Sequence, residues 1–502
     1  MPKLYLDAIE HARVYEVARE TPLEPAPKLS QRMDNEVYFK REDLQPVFSF
    51  KLRGAYNKIA QMSDEECARG VICASAGNHA QGVALSARKR GIKATIVMPR
   101  TTPDIKVKAV ESMGANVVLV GDSYSDASTH ANKLRDDTGM VYVHPYDDPQ
   151  VIAGQGTIAE EILRQSPNDL DAVFIPIGGG GLAAGMAVYL KHYSPNTKII
   201  GVEPVDSAAM HDSVKAGQRI ILEQVGIFAD GVAVKQVGEH TFDLVRKYVD
   251  EIILVDTDEI CAAIKDIYDD SRVIVEPAGA LAVAAMKKYV KQNTINGKFL
   301  ACINSGANMN FDRLRHVAER TEVGERREAL FAVTIPEKAG SFLTFCNLLK
   351  AHSITEFNYR ISSRDEAHVF VGITIRDSEE SSLIQTMLET HGYQVINLID
   401  NELAKLHIRH MVGGKSHLIE HESLFRFEFP ERPGALLNFL TQLAGRWNIS
   451  LFHYRNHGAA YGRVLAGMEV EPKDKKAFRA FLDQLGYAYI TEDNNPAFKL
   501  FL

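Results

Sequence analysis

Pro46-Val47-Phe48-Ser49-Phe50-Lys51-Leu52-Arg53-Gly54-Ala55 sets a lysine just after two phenylalanines, at the start of a helical pattern carried by Leu52, Ala55, Tyr56 and Ile59. Apolar neighbours desolvate the ammonium, and the positive end of a helix dipole repels it. A lysine that loses its proton easily is a carbonyl nucleophile. The plainer reading is a lysine laying its methylenes on apolar surface. What surrounds the stretch separates the two.

From Tyr38 outward, β-rich runs alternate with helical patterns. Val71–Ala74, Ala94–Pro99 and Ala115–Val120 read as buried strands, with helices over His79–Arg90 and Thr102–Ser112 between them. The alternation returns at Ala172–Pro176, Lys198–Val202 and Phe299–Ile303. Such βαβ repetition predicts an α/β region with two open parallel sheets covered by helices, over residues 1–320, and a smaller subdomain near 54–155 inserted in the larger one.

The charged run from Arg320 to Glu328 reads as a linker over 321–328. Beyond it the chain repeats itself. Ile335-Pro336-Glu337-Lys338-Ala339-Gly340 returns as Phe429-Pro430-Glu431-Arg432-Pro433-Gly434. Ile354-Thr355-Glu356-Phe357-Asn358-Tyr359-Arg360 returns as Ile449-Ser450-Leu451-Phe452-His453-Tyr454-Arg455, and Gly372 and Gly392 return as Gly467 and Gly486. Each copy has the order strand, turn, helix, strand, strand, helix, strand, the α+β ferredoxin-like plan. The expected division is 329–400, a connector over 401–422, and 423–502.

A chain of 502 residues, 45% hydrophobic and 24% charged, is a soluble globular protein of about three or four domains. A net charge of −8 without a basic tract disfavours nucleic acid and anionic membrane as partners. No apolar run is long enough to span a bilayer. The five cysteines have no metal-ligand spacing, so no metal site is expected, and the thiols fit a reducing, cytoplasmic compartment.

Three strand ends carry small residues. Ser75-Ala76-Gly77-Asn78-His79 opens a helix, where backbone N–H groups favour an anion such as a carboxylate. Ser75 and Asn78 equally suit plain helix capping, and His79 suits packing better than base chemistry. Gly178-Gly179-Gly180-Gly181-Leu182-Ala183 suits a phosphate. Gly178, Gly180 and Ala183 also fit a relaxed dinucleotide fingerprint, with Glu203 near the ribose position, which supports a dehydrogenase. That alternative leaves Lys51, Asn78 and the Asn304-Ser305-Gly306-Ala307-Asn308 end unexplained. An aromatic aldehyde carrying a phosphate, pyridoxal phosphate, uses all four.

Together with Val275-Glu276-Pro277-Ala278-Gly279-Ala280, and in this order, these motifs resemble fold-type II pyridoxal-phosphate enzymes of the serine/threonine dehydratase family. The duplicated tail is similar to the paired ACT-like regulatory domains of the feedback-inhibited biosynthetic branch. One departure is Ala307, where many relatives have a second glycine. The resemblance implies Lys51 as the Schiff-base lysine and general base, and Phe50 against the pyridine ring. It implies Asn78 at the ring oxygen, Gly178, Gly179, Gly180, Gly181 and Leu182 at the phosphate, and Ser305 at the pyridine nitrogen. Ser75, Ala76, Gly77 and His79 would receive the substrate carboxylate. Glu276 is either a helix-start carboxylate or an acid near the site. The reaction implied is elimination of water from L-threonine, giving 2-oxobutanoate and ammonia, in a homotetramer. Isoleucine is the implied inhibitor and valine its antagonist. Phe357, Tyr359, Arg360, Phe452, Tyr454 and Arg455 are candidate effector residues, although alternating aromatics on strands equally suit a core.

Overall fold

The computed structural model describes residues 2–226, 228–311, 313–324, 327–430, 435–443, 446–455 and 461–502. The chain divides into two compact units, Met1–Thr321 and Glu322–Leu502.

The first unit contains two sheets. In the larger, the strands run Leu23–Pro25, Glu36–Arg41, Phe299–Asn304, Ala172–Pro176, Lys198–Pro204, Glu251–Val255 in spatial order. All neighbours are parallel except the first pair. The smaller is wholly parallel, in the order Asn116–Leu119, Ala94–Met98, Val71–Ala74, Val141–Tyr142. Val71–Ala74, Ala172–Pro176 and Phe299–Asn304 are buried at every position, which is why they read as unbroken apolar runs. Ser63 with Glu66 and Ser123 with Asp126 form capping boxes at two helix starts. Gly91 and Gly139 end helices in the left-handed conformation.

The helix Lys51–Ala60 is tied down by buried charge. The Arg53 guanidinium donates to both Glu42 oxygens, at 2.8 and 2.7 Å, and to both Glu161 oxygens, at 2.5 and 2.9 Å. Lys40 pairs with Glu161 at 2.6 Å, and all four side chains have no solvent exposure. This helix crosses Pro149–Gln165 at glycines. A Cβ on Gly54 would lie 2.7 Å from the Val151 carbonyl oxygen, and one on Gly154 would lie 2.7 Å from that of Arg53. The glycine two residues beyond Leu52 is therefore a packing requirement.

In the second unit each repeat follows the ferredoxin-like order. The eight strands form one antiparallel sheet, joined where Ile354–Arg360 pairs with Asn448–Arg455. Each copy carries a bulge at the same place, between Ile354 and Glu356 and between Ile449 and Leu451. The bulged Thr355 and Ser450 donate to Glu328 and Glu422, the first residues of each repeat's opening strand. A Cβ on Gly372 would fall 2.4 Å from the Thr355 hydroxyl, and one on Gly467 2.6 Å from that of Ser450. That contact explains the paired glycines. The duplication also runs further than its strands. A short helix capped by Asn401 follows the first copy, and one capped by Asn495 follows the second. Glu431–Gly434 of the repeated turn and Glu325–Arg326 of the linker lie outside the described residues.

Candidate functional site

Two segments about 250 residues apart in the chain build the floor of the site. The Phe50 N–H donates to the Ser305 carbonyl at 3.2 Å, and the Ala307 N–H to that of Phe48 at 2.9 Å. Phe48 has φ 54, in the left-handed region that a phenylalanine rarely adopts. Lys51 thus opens its helix beside the end of the strand Phe299–Asn304. Its Nζ lies 5.3 Å from the centre of the Phe50 ring and 3.4 Å from the Pro145 carbonyl oxygen. Desolvation lowers its pKa to about 8, with Glu276 pulling the other way.

A cleft of about 1580 Å³ lies over this floor, lined by Lys51, Ser75, Ala76, Gly77, Asn78 and His79 among others. A small cavity shares Lys51, Asn78 and Glu276 with it, and is closed by Phe50, Gly178–Leu182 and Ser305. The nine residues expected to hold a cofactor therefore line one cavity, with Gln155, Tyr146 and Glu276 added.

The glycine turn is shaped by its neighbours. Gly180 has φ 97, and the helix Gly181–Tyr193 begins with no side-chain cap, leaving its first N–H groups to an anion. A Cβ on Gly179 would enter the Tyr146 ring, at 2.1 Å. In the same cavity Gln155 Oε1 is buried without a hydrogen-bond partner. An uncapped helix start without side chains, a lysine whose proton is loosened by burial and the Ser305 hydroxyl fit a phosphorylated aromatic aldehyde. Ser305 itself donates to the Ala278 carbonyl at 3.2 Å.

The loop after Val71–Ala74 divides between capping and site. The Ser75 hydroxyl accepts from the Gly77 and Ala80 N–H groups, both at 3.3 Å, so it caps. Asn78 does not. Its Nδ2 donates to Glu276 at 2.6 Å, and its Oδ1 accepts from Asn308 at 2.8 Å. His79 is 3% exposed, and its Nε2 lies 2.8 Å from the Val143 carbonyl, so that nitrogen carries the proton. Burial, then Lys51, hold its pKa down at about 3, and it stays neutral. Glu276 precedes the helix Pro277–Asn293 but makes no cap bond, and is only 4% exposed. Burial first, then Asp230, raises its pKa to about 7. Of the two places the sequence left open for Glu276, helix start or site, the side chain takes the site.

Glu203 does not stand where a ribose would need it. It is fully buried, and its two oxygens accept the Met210 and His211 N–H groups at 2.9 and 2.7 Å. It caps the helix Ala209–Ala216, which removes the acid from the dinucleotide reading.

In the second unit, Phe357 and Phe452 are each 1% exposed and meet edge to face, 5.6 Å between centres. They belong to the core, the alternative that alternating aromatics on strands allow, because their strands turn these positions toward the helices. The buried Tyr359 donates to Glu337. Arg360 makes a two-pronged ion pair with Glu422 of the other repeat. Tyr454 pairs in register with Phe357, and the Arg455 side chain lies outside the described ones.

Residues 14–306 match the family model described as pyridoxal-phosphate dependent enzyme. Residues 319–408 and 413–502 each match that of the C-terminal regulatory domain of threonine dehydratase. The chain is 58% identical over 501 residues to a biosynthetic L-threonine dehydratase of Burkholderia multivorans, covering 99% of each. It is 54% identical to that of Escherichia coli, covering 99% of this chain and 97% of the relative. The solved structure of processed threonine deaminase isoform 2 from Solanum lycopersicum superposes with a TM-score of 0.63 at 52% identity, covering 64% of this chain and 93% of that one.

Proposed function

The chain belongs to the biosynthetic threonine dehydratase family of pyridoxal-phosphate-dependent enzymes, and from that premise we propose the roles of its individual residues. It is a threonine ammonia-lyase that converts L-threonine to 2-oxobutanoate and ammonia on the way to isoleucine. When bound, the cofactor supplies a sink for the electrons released at the substrate Cα.

Lys51 would hold the cofactor through its amine, and the same amine is placed to accept the proton from the substrate Cα. An amine shifted to about 8 is available for both tasks near neutral pH. Gly178–Leu182 donate N–H groups to the phosphate, and Phe50 packs on the ring. The Ser75–His79 loop receives the substrate carboxylate, with neutral His79 as wall. Ser305 meets the pyridine nitrogen with a hydroxyl. Unlike a carboxylate, a hydroxyl would not hold that nitrogen protonated, so the cofactor beside Ser305 would supply a shallower electron sink, one suited to loss of a β-hydroxyl.

The single observation behind this reading is one cavity lined by Lys51, the glycine turn and Ser305. Purified protein will be yellow and will release 2-oxobutanoate from L-threonine, and Lys51→Ala will lose both properties. A colourless wild-type protein that gains no colour with pyridoxal phosphate overturns it.

For the tail, the proposal is feedback inhibition by isoleucine opposed by valine, with Tyr359, Arg360, Tyr454 and Arg455 as contact residues. A homotetramer supplies the communicating sites that cooperativity needs. Five cysteines without a disulfide fit the cytoplasm. Among the described residues no helix is long and apolar enough to cross a membrane.

A further inference from the structure

We infer that Glu276 is a positioning residue that fixes the amide of Asn78 so that one of its N–H groups always faces the cofactor's ring oxygen; this rests on the reading of Asn78 given above. A primary amide has one acceptor oxygen and two N–H donors. Glu276 Oε1 takes one N–H of Asn78 at 2.6 Å. Asn308 Nδ2 takes the Asn78 oxygen at 2.8 Å and also donates to the Val47 carbonyl at 2.8 Å. Turning the Asn78 amide over would set its oxygen against the Glu276 carboxylate and its NH₂ against that of Asn308. Both contacts are repulsive, so one orientation is held and the second N–H remains for the ligand.

The chain Val47–Asn308–Asn78–Glu276 joins four separate segments of sequence. Its two ends are anchored by backbone: the Glu276 N–H donates to the Gly306 carbonyl at 3.1 Å, next to the Ala307–Phe48 bond. A glutamate preceding a helix is well placed to bond that helix's first N–H groups, and Glu276 does not. A buried carboxyl that declines this partner for a side-chain amide across the cleft is positioned for the amide.

The charged groups acting on Glu276 are Lys51 on its own helix, Lys106 on Asp104–Glu111, and Asp230 in the loop before Gly231. The two lysines favour the carboxylate, while Asp230 and burial favour the acid. The proton thus comes and goes near pH 7, and the hold on Asn78 tightens as pH rises through that value.

The test is pyridoxal phosphate affinity of the apo-protein, read by visible absorbance and fluorescence rather than turnover. Glu276→Ala is expected to weaken binding about tenfold, the scale of one charge-assisted hydrogen bond, and to shift the bound absorbance band. Glu276→Gln keeps an acceptor oxygen and the volume. It is expected to bind within about threefold of wild type, with the pH dependence near 7 flattened. Asn78→Ala combined with Glu276→Ala is expected to be no weaker than Asn78→Ala alone, since one residue acts through the other. Unchanged affinity and spectrum in Glu276→Ala, or additive losses in the double variant, overturn the inference. Failure of the wild-type protein to bind pyridoxal phosphate overturns the underlying cofactor reading instead.

Discussion

At the scale of the residue, environment decides what a side chain does. Lys51 was recognisable in sequence by its apolar neighbours and its helix start, and of these it is burial that lowers its pKa to about 8. Between about 8 and its ordinary value of 10.5, the unfolded chain holds a proton on this lysine that the folded chain lacks. Stability of the apo-protein therefore gains with rising pH across that window, and Lys51→Met should remove this part of the slope in urea titrations. Glu276 has the opposite sign. From 4.5 to about 7 the folded chain holds the extra proton, so its contribution to stability is lost as pH rises through that range. Gly179 is limited by space instead. The Tyr146 ring is anchored by its hydroxyl, which donates to the Gln236 carbonyl at 3.1 Å, so it cannot yield to a new methyl. Gly179→Ala should cost about 1–3 kcal/mol in denaturant unfolding and weaken cofactor binding. Sequence could not supply the identity of that neighbour, because Tyr146 and Gly179 meet only in the folded chain.

At the scale of the element, the helix carrying Lys51 is set by charges that sequence leaves unpaired. Arg53 lies two residues beyond the lysine, and its partners Glu42 and Glu161 come from other elements. Arg53→Met would leave two buried carboxylates with Lys40 alone, a loss of about 3–5 kcal/mol visible as a fall in Tm. The double replacement of Arg53 and Glu161 by apolar residues should cost less than that single change. The ion pairs at the cleft mouth differ in kind. Asp230 joins Lys106 at 3.0 Å to Arg313 at 3.2 Å, and all three side chains are partly exposed. Asp230→Asn should change stability by less than about 1 kcal/mol. Because Lys106 lines the cleft, its expected signature is a higher KM for threonine with little change in Tm.

At the scale of the whole molecule, the chain divides at Thr321, between the part that matches pyridoxal-phosphate dependent enzymes and the part that matches the regulatory domain. A chain ending near Glu322 should keep threonine turnover and lose sensitivity to isoleucine, measured as the shift of the saturation curve; full retained sensitivity would show that the tail has another task. In the tail, Arg360→Ala should uncouple the repeats at Glu422 and lower the Tm of the full chain. The sequence by itself determined the parallel sheets, the duplication and the lysine–glycine–serine set, because buried strands, small-residue turns and repeated spacing are local patterns that survive in one dimension. Only the tertiary structure decided that Glu276 faces Asn78, that Glu203 caps a helix, and that Phe357 and Phe452 pack a core. Those outcomes depend on which distant side chain arrives within hydrogen-bonding or van der Waals reach, and no spacing along the chain encodes that.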